Sequence, residues 1–289
     1  MELEYETADV FTTQRFGGNP LAVVHGAGAL DGARMQAIAR EFNLSETVFV
    51  LPSGVADARL RIFTPGQELP FAGHPNVGAA VLLSRRHAGA PATLRLEQQA
   101  GIVNAWITRN AAGTPTAAEI EAPKPLQLGA PFKPEAIAEC AGLLEPAIHV
   151  NGHSPIAAGC GLAFAIAEVQ DAATLAQALP DTAAFRRHLA DVSGLLLHAP
   201  LGIGRRRVRV FCPLDGIPED PATGSANVAL AGLLLALAGG SVLNLEVEQG
   251  VEMGRPSLLH LAARREADGA IRVRVGGGVV PVARGTIWV

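Results

Sequence analysis

Two short stretches hold most of the residues able to do chemistry. The first is Phe71-Ala72-Gly73-His74-Pro75-Asn76-Val77, and the second is Ala222-Thr223-Gly224-Ser225-Ala226-Asn227-Val228. Gly73 aligns with Gly224, Asn76 with Asn227 and Val77 with Val228, at the single offset 224 − 73 = 151. Each stretch reads as a glycine turn opening an apolar helix. A helix start presents free backbone N–H groups and a positive dipole end, so two of them facing each other would hold a carboxylate without Arg or Lys. Beside these turns lie His74 and the Glu219-Asp220 pair. An imidazole and a carboxylate together can hold or pass a proton near neutral pH. A third candidate is Glu46, in Leu44-Ser45-Glu46 at the lip of an apolar strand. Burial there would lift its pKa toward the working range of a general base. The plainer alternative is a solvated glutamate at a helix-to-strand turn.

Other chemistries fit less well. Ser225, His74 and Asp220 are the residue types of a hydrolase triad, but Ser225 lacks the Gly-x-Ser-x-Gly elbow. A metal on His74 and Asp220 would want a third ligand, and none lies nearby in sequence. The three cysteines, Cys140, Cys160 and Cys212, form no Cys-x-x-Cys pair and read as buried reduced thiols. Lys124 and Lys133 sit among prolines rather than on a rigid element, which argues against a Schiff base. Gly17-Gly18-Asn19 and Gly276-Gly277-Gly278 lack the dinucleotide fingerprint.

The elements that must position these residues repeat as well. Arg61-Ile62-Phe63-Thr64-Pro65 echoes Arg209-Val210-Phe211-Cys212-Pro213 at 209 − 61 = 148, so the second copy has three extra loop residues. Two related halves follow. In the first, strands are expected at 4–11, 21–25, 47–51, 57–63, 92–98, 101–109 and 117–122. Asp31 caps a helix ending near Asn43, and a second helix runs from the first motif to about Arg85. The cluster Pro123, Pro125, Pro131 and Pro134 reads as a linker. Beyond it, helices are expected near 134–143, around 171–190 and over 225–238. Strands are expected at 147–151, 162–169, 194–199, 205–212, 243–249, 257–265 and 271–276. Gly276-Gly277-Gly278 then reads as a turn before terminal strands over 279–289. Domains are placed at 1–122, completed by 279–289 if the tail crosses back, and at 123–278. The irregular alternation of elements indicates an α+β protein of two sheet-wrapped helices.

With 49% hydrophobic residues in 289, each half can bury a core. The net charge of −4 and scattered arginines exclude a nucleic-acid footprint. Arg205-Arg206-Arg207 reads as the solvated start of a strand. The acidic start, Met1 to Glu6, has no apolar signal region, and the run from Val228 to Gly240 is shorter than the roughly 18 residues of a membrane span. A cytoplasmic protein without membrane or nucleic-acid partners is the expectation.

Asn43-Leu44-Ser45-Glu46-Thr47, Leu69 to Pro75, and Glu219 to Ala226 together resemble the three signature segments of the PhzF (phenazine biosynthesis PhzF-like) family. Asp9-Val10-Phe11 through Phe16-Gly17-Gly18-Asn19-Pro20 resembles its opening segment, so the similarity spans nearly the whole chain. The resemblance implies the diaminopimelate epimerase-like fold: two pseudo-symmetric domains, each a β-barrel-like sheet around a central helix, with a site in the cleft between them. It also implies no organic cofactor or metal, a homodimer and a small carboxylate substrate. In the related epimerase a cysteine from each half flanks the substrate carbon. Here the matching positions carry Gly73-His74 and Gly224-Ser225, so two-thiol racemisation is unavailable. The resemblance implies instead that Glu46 shuttles a proton along an unsaturated acid. His74 and Asp220 would orient the substrate and steady the shifting charge, while Ser225 with the N–H groups around Gly73 and Gly224 would hold the carboxylate. Two alternatives stay open: a non-catalytic metabolite binder on the same scaffold, and an epimerase using Glu46 and His74 as non-thiol bases.

Overall fold

Helix α2 (Gly73–Arg86) is buried on every face from Gly73 through Leu82. A helix buried all round belongs inside a structure rather than on its surface. In the computed structural model, which describes residues 1–86, 89 and 91–289, the chain forms two compact units. One comprises Met1–Pro123 with Gly276–Val289, and the other Lys124–Val275.

In the first unit, strands β1 (Glu2–Val10), β2 (Asn19–Val24), β3 (Glu46–Leu51), β4 (Ala58–Phe63), β5 (Glu68–Leu69), β6 (Thr93–Gln98), β7 (Gly101–Arg109) and β8 (Pro115–Glu121) precede the return of the chain's last strand, β18 (Ile271–Trp288). Pairing runs β18–β1–β2–β3–β4–β6–β7–β8 and back to β18, so eight strands close a barrel. Strand β5 folds back on β4 as a short hairpin. The barrel wraps α2, which packs on β8, β1, β7, β2 and β3. Helix α1 (Gly32–Phe42) covers β3 and β4 from outside with Met35, Ile38 and Ala39. The Asp31 carboxylate caps α1 by accepting from Arg34 N at 2.8 Å, and Asn43 ends it in the left-handed conformation.

The second unit repeats the plan. Its strands are β9 (Gln127–Pro131), β10 (Ile148–His149), β11 (Ile156–Gly159), β12 (Ala163–Val169), β13 (Leu195–Gly202), β14 (Arg205–Cys212), β15 (Ile217–Asp220), β16 (Val242–Gln249) and β17 (Ser257–Arg265). Pairing runs β9–β11–β12–β13–β14–β16–β17, with β12–β13 and β14–β16 parallel as β2–β3 and β4–β6 are in the first unit. The central helix is α6 (Gly224–Ala238), packed on β17, β11, β16 and β12. Helices α3 (Pro134–Ala141), α4 (Ala172–Ala176) and α5 (Thr182–His188) build an outer core with Phe185, Leu195, Leu197 and Phe211.

Four sequence expectations are corrected. The proline-rich linker contains β9, whose residues pair with β11 despite Pro131 at its end. Strand β11, Ile156-Ala157-Ala158-Gly159 behind Pro155, lies where no strand is expected from the sequence. The single helical stretch over 171–190 is two short helices, each with its own aspartate cap, Asp171 and Asp181. The glycines at 276–278 make no turn: β18 runs straight through them. A Cβ at Gly276 would lie 2.8 Å from the Ala118 carbonyl oxygen, and one at Gly278 would lie 2.5 Å from that of Thr12. These glycines serve close backbone approach inside a strand.

Candidate active site

Glu46 is the first residue of β3. The left-handed cap at Asn43 turns the chain out of α1, and the parallel register sets Glu46 beside Leu21 of β2. Its Oε2 stands 3.4 Å from Nδ1 of His74, with the two side chains 14% and 3% exposed. Burial, opposed by the Pro20 carbonyl, pushes the His74 pKa down to about 3. His74 is therefore a neutral imidazole at physiological pH. The first unit thus brings Glu46, His74 and Gly73 to the start of its central helix.

The start of α2 is held by Asn76, whose Nδ2 donates to the Ala72 carbonyl at 2.8 Å and to Gln98 Oε1 at 3.1 Å. Gln98 Nε2 returns a bond to Asn76 Oδ1 at 2.5 Å. The second unit brings Asp220, Gly224 and Ser225 to the start of α6 in the same way. Asn227 Nδ2 donates to the Thr223 carbonyl at 2.9 Å and to Gln249 Oε1 at 2.7 Å. Gln249 also donates to the Asp220 carbonyl at 2.7 Å and accepts from Thr223 N at 3.1 Å. The Thr223 hydroxyl donates to Asp220 Oδ2 at 2.5 Å, which fixes the orientation of that buried carboxylate. The N-cap residue Thr223 turns its hydroxyl to Asp220 and makes no capping bond of its own to the first turn of α6.

The neighbouring Glu219 does something else. It receives a two-pronged ion pair from Arg209, at 2.8 and 2.7 Å, as Glu68 does from Arg61 at 2.7 and 2.6 Å. Each guanidinium also lies over a phenylalanine, Phe211 or Phe63, 4.9 and 5.2 Å from the ring centres. These pairs lock the β4–β5 and β14–β15 hairpins that lead into the central helices. Sequence reasoning missed Gln98, Gln249 and Glu68, and placed Glu219 beside Asp220 without its arginine, although the offset was there to read: 249 − 98 and 219 − 68 both equal 151.

The repeat breaks at one informative place. Phe63 pairs with Thr47 and Phe211 with Leu195, so Glu46 corresponds to Gly194. The second half has no side chain where the first has a carboxylate. Cys140 and Cys160 are buried in the second unit, and burial pushes both up to about 12.

Barrel-wrapped central helices in duplicate define a diaminopimelate epimerase-like fold. The phenazine biosynthesis-like (PhzC-PhzF) family model matches residues 8–285. The trans-2,3-dihydro-3-hydroxyanthranilate isomerase of Pseudomonas chlororaphis is 38% identical across 98% of each chain. A PhzF-family crystal structure from Bacillus anthracis superposes with a TM-score of 0.90 at 25% identity, covering 100% of each chain. A hydroxyproline epimerase from Agrobacterium vitis shares the fold at a TM-score of 0.68 and 14% identity, over 99% of this chain and 91% of that one. The protein is an isomerase. It belongs to the phenazine biosynthesis-like PhzC-PhzF family.

Proposed function

We propose that the chain is a cofactor-independent isomerase in which Glu46 moves a proton along an unsaturated small carboxylic acid. The observation that carries this reading is the Glu46–His74 pair: a carboxylate at a strand lip, 3.4 Å from an imidazole that burial keeps neutral. The Glu46 carboxylate takes a proton from an sp3 carbon beside the double bond, and the electron pair of that C–H bond spreads along the conjugated system. The same proton is returned to the far carbon, regenerating the carboxylate, so no oxidant, reductant or leaving group enters. Neutral His74 and Asp220 orient the substrate and steady the shifting charge. Gly73, Gly224 and Ser225 hold its carboxylate through helix-start N–H groups and the serine hydroxyl.

The absence of a side chain at Gly194 supports one acid–base rather than a matched pair. A non-thiol epimerase would need His74 as its second base, and an imidazole with a pKa of about 3 is a weak one. The P. chlororaphis relative is named for a cyclic unsaturated amino acid, which sets the first compounds to try. The reading also takes the working form as a cytoplasmic homodimer, on the family resemblance. The test is incubation of trans-2,3-dihydro-3-hydroxyanthranilate and related cyclic unsaturated acids in heavy water, followed by proton NMR. Glu46→Gln should lower turnover by about 10²–10⁴-fold, the usual share of general acid–base catalysis. Wild-type turnover in that variant would sink the proposal. A compound that binds without turnover or exchange in the wild type would point to a metabolite binder instead.

A further inference from the structure

A buried cluster of two histidines and a carboxylate lies in the second unit, apart from the start of α6. Its members are His153, in the loop between β10 and β11, Glu168 on β12 and His198 on β13. All three are buried, at 8%, 9% and 0% exposure. Glu168 and His198 are direct neighbours in the parallel β12–β13 register. Strand residues alternate between faces. Ala165, Ala167 and Val169 of β12, with Leu195, Leu197 and Ala199 of β13, belong to the outer core. Glu168 and His198 therefore lie on the opposite face of the sheet. His153 stacks on His198 with ring centres 5.3 Å apart, and the two Nε2 atoms stand 3.0 Å from each other. One ligand atom from each of the three residues falls within 4.8 Å of the others.

We propose that His153 Nε2, His198 Nε2 and the Glu168 carboxylate form a binding site for a divalent borderline transition-metal cation, with Zn2+ the leading candidate. Two nitrogens each about 2.1 Å from one tetrahedral ion sit roughly 3.4 Å apart, so the two imidazoles, 3.0 Å apart at Nε2, need to part by only a few tenths of an ångström to take one between them. The His153 tautomer suits this use, and His198 Nδ1 is buried without a hydrogen-bond partner. His153 Nδ1 lies 2.9 Å from the Ser154 carbonyl oxygen. Only an N–H can pair with a carbonyl, so Nδ1 carries the proton and Nε2 presents its lone pair. A backbone carbonyl behind the non-ligating nitrogen is the usual support of a metal-binding histidine. His198 is fully buried on the same face as Glu168, with its Nε2 turned to His153.

Glu168 is supported in the same manner, with His149 Nδ1 3.3 Å from its Oε1. Gly152 lets the loop lie against this carboxylate, since a Cβ there would come 2.6 Å from Oε2. A proton shared between the two imidazoles would explain their spacing alone. It would use neither the buried carboxylate nor its support. Imidazole and carboxylate donors favour zinc and its neighbours over calcium or magnesium. Glu168 pairs with His198 one register step beyond Ala167 and Leu197, where the first unit has Val24 and Phe49 at the matching step. The positions one step further there are His25 and Val50, so the donor set belongs to the second half only.

The experiment uses the full, untagged chain after chelator treatment. Zn2+ is titrated against a chromophoric chelator, Co2+ uptake is followed by its visible d–d absorption, and Tm is read with and without Zn2+. The expected result is one equivalent bound at micromolar Kd or tighter, with Tm raised by Zn2+ because only the folded state binds. His153→Ala, in a loop, and Glu168→Gln, isosteric, should each weaken binding at least tenfold while keeping the circular dichroism and metal-free Tm of the parent. His149→Ala should weaken it by about 10–100-fold through the carboxylate it supports. Failure of the parent to bind, or binding unchanged in both His153→Ala and Glu168→Gln, overturns the site. Metal affinity is read here without reference to turnover, so this result stands apart from the role proposed for Glu46.

Discussion

Glu46 stands where its counterpart in the other repeat, Gly194, has no side chain at all. Duplication supplied two equal helix starts and two equal hairpin locks, yet only one of the two copies carries the carboxylate. The backbone at Gly194 leaves no room for one. A Cβ there would sit 2.5 Å from the Phe211 carbonyl oxygen and 2.7 Å from Cys212 Sγ. Gly194→Ala should therefore destabilise the fold by about 1–3 kcal/mol, the usual penalty for overpacking. Chemical denaturation measures it, and a stability equal to the parent would contradict the close approach.

His74 should leave its mark on acid stability. Its folded pKa of about 3 lies below the ordinary value of 6.5. Between those limits the unfolded chain binds a proton that the folded chain refuses. Stability is then unaffected above about pH 7 and falls as pH drops from about 6.5 toward 3, by up to about 1.4 kcal/mol per pH unit for this group. His25 and His198 shift in the same direction, again chiefly by burial. Denaturation midpoints at pH 5 and 7 should differ accordingly, and His74→Gln should shrink the gap. An unchanged gap would show that the ring is not held neutral.

The buried glutamines should matter as much as the residues they hold. Gln249→Leu would leave the Asp220 carbonyl, Thr223 N and Asn227 Nδ2 each short of a partner, at about 1–3 kcal/mol for each group not rescued by water. Turnover per folded molecule should fall too, because the start of α6 and the Asp220 carboxylate lose their brace. Gln98→Leu is the matching test in the first unit, through Asn76. A denaturation midpoint unmoved in both variants would refute this account.

Thiols should be dispensable. With Cys140 and Cys160 buried and their pKa pushed up to about 12, neither forms thiolate at neutral pH. Alkylation of the native protein should spare both, and a variant with Ala at Cys140, Cys160 and Cys212 should keep its turnover. Loss of turnover with an intact fold would bring thiol chemistry back.

How much of this was legible in sequence follows from what each signal is made of. The helices α2 and α6 announce themselves as apolar runs behind duplicated glycines, and Glu46 as the polar step before Thr47-Val48-Phe49. The amides of Asn76 and Gln98 pass for surface residues, because polarity alone does not reveal a buried partner 22 positions away. Three consecutive glycines look like a turn when their real function is to admit a neighbouring backbone. His153, Glu168 and His198 come from one loop and two strands and share no spacing motif, so only the pairing of β12 with β13 brings them together.

The closing stave of the first barrel lies beyond the second unit in sequence. Strand β18 joins β1 and β8, yet from Gly276 onward it is synthesised after the whole second unit. On the ribosome, Lys124–Val275 is a continuous piece that can collapse as it emerges, whereas the amino-terminal half must wait with two unpaired strand edges. The half bearing Glu46 thus keeps the edges of β1 and β8 open until the segment from Gly276 onward has been made.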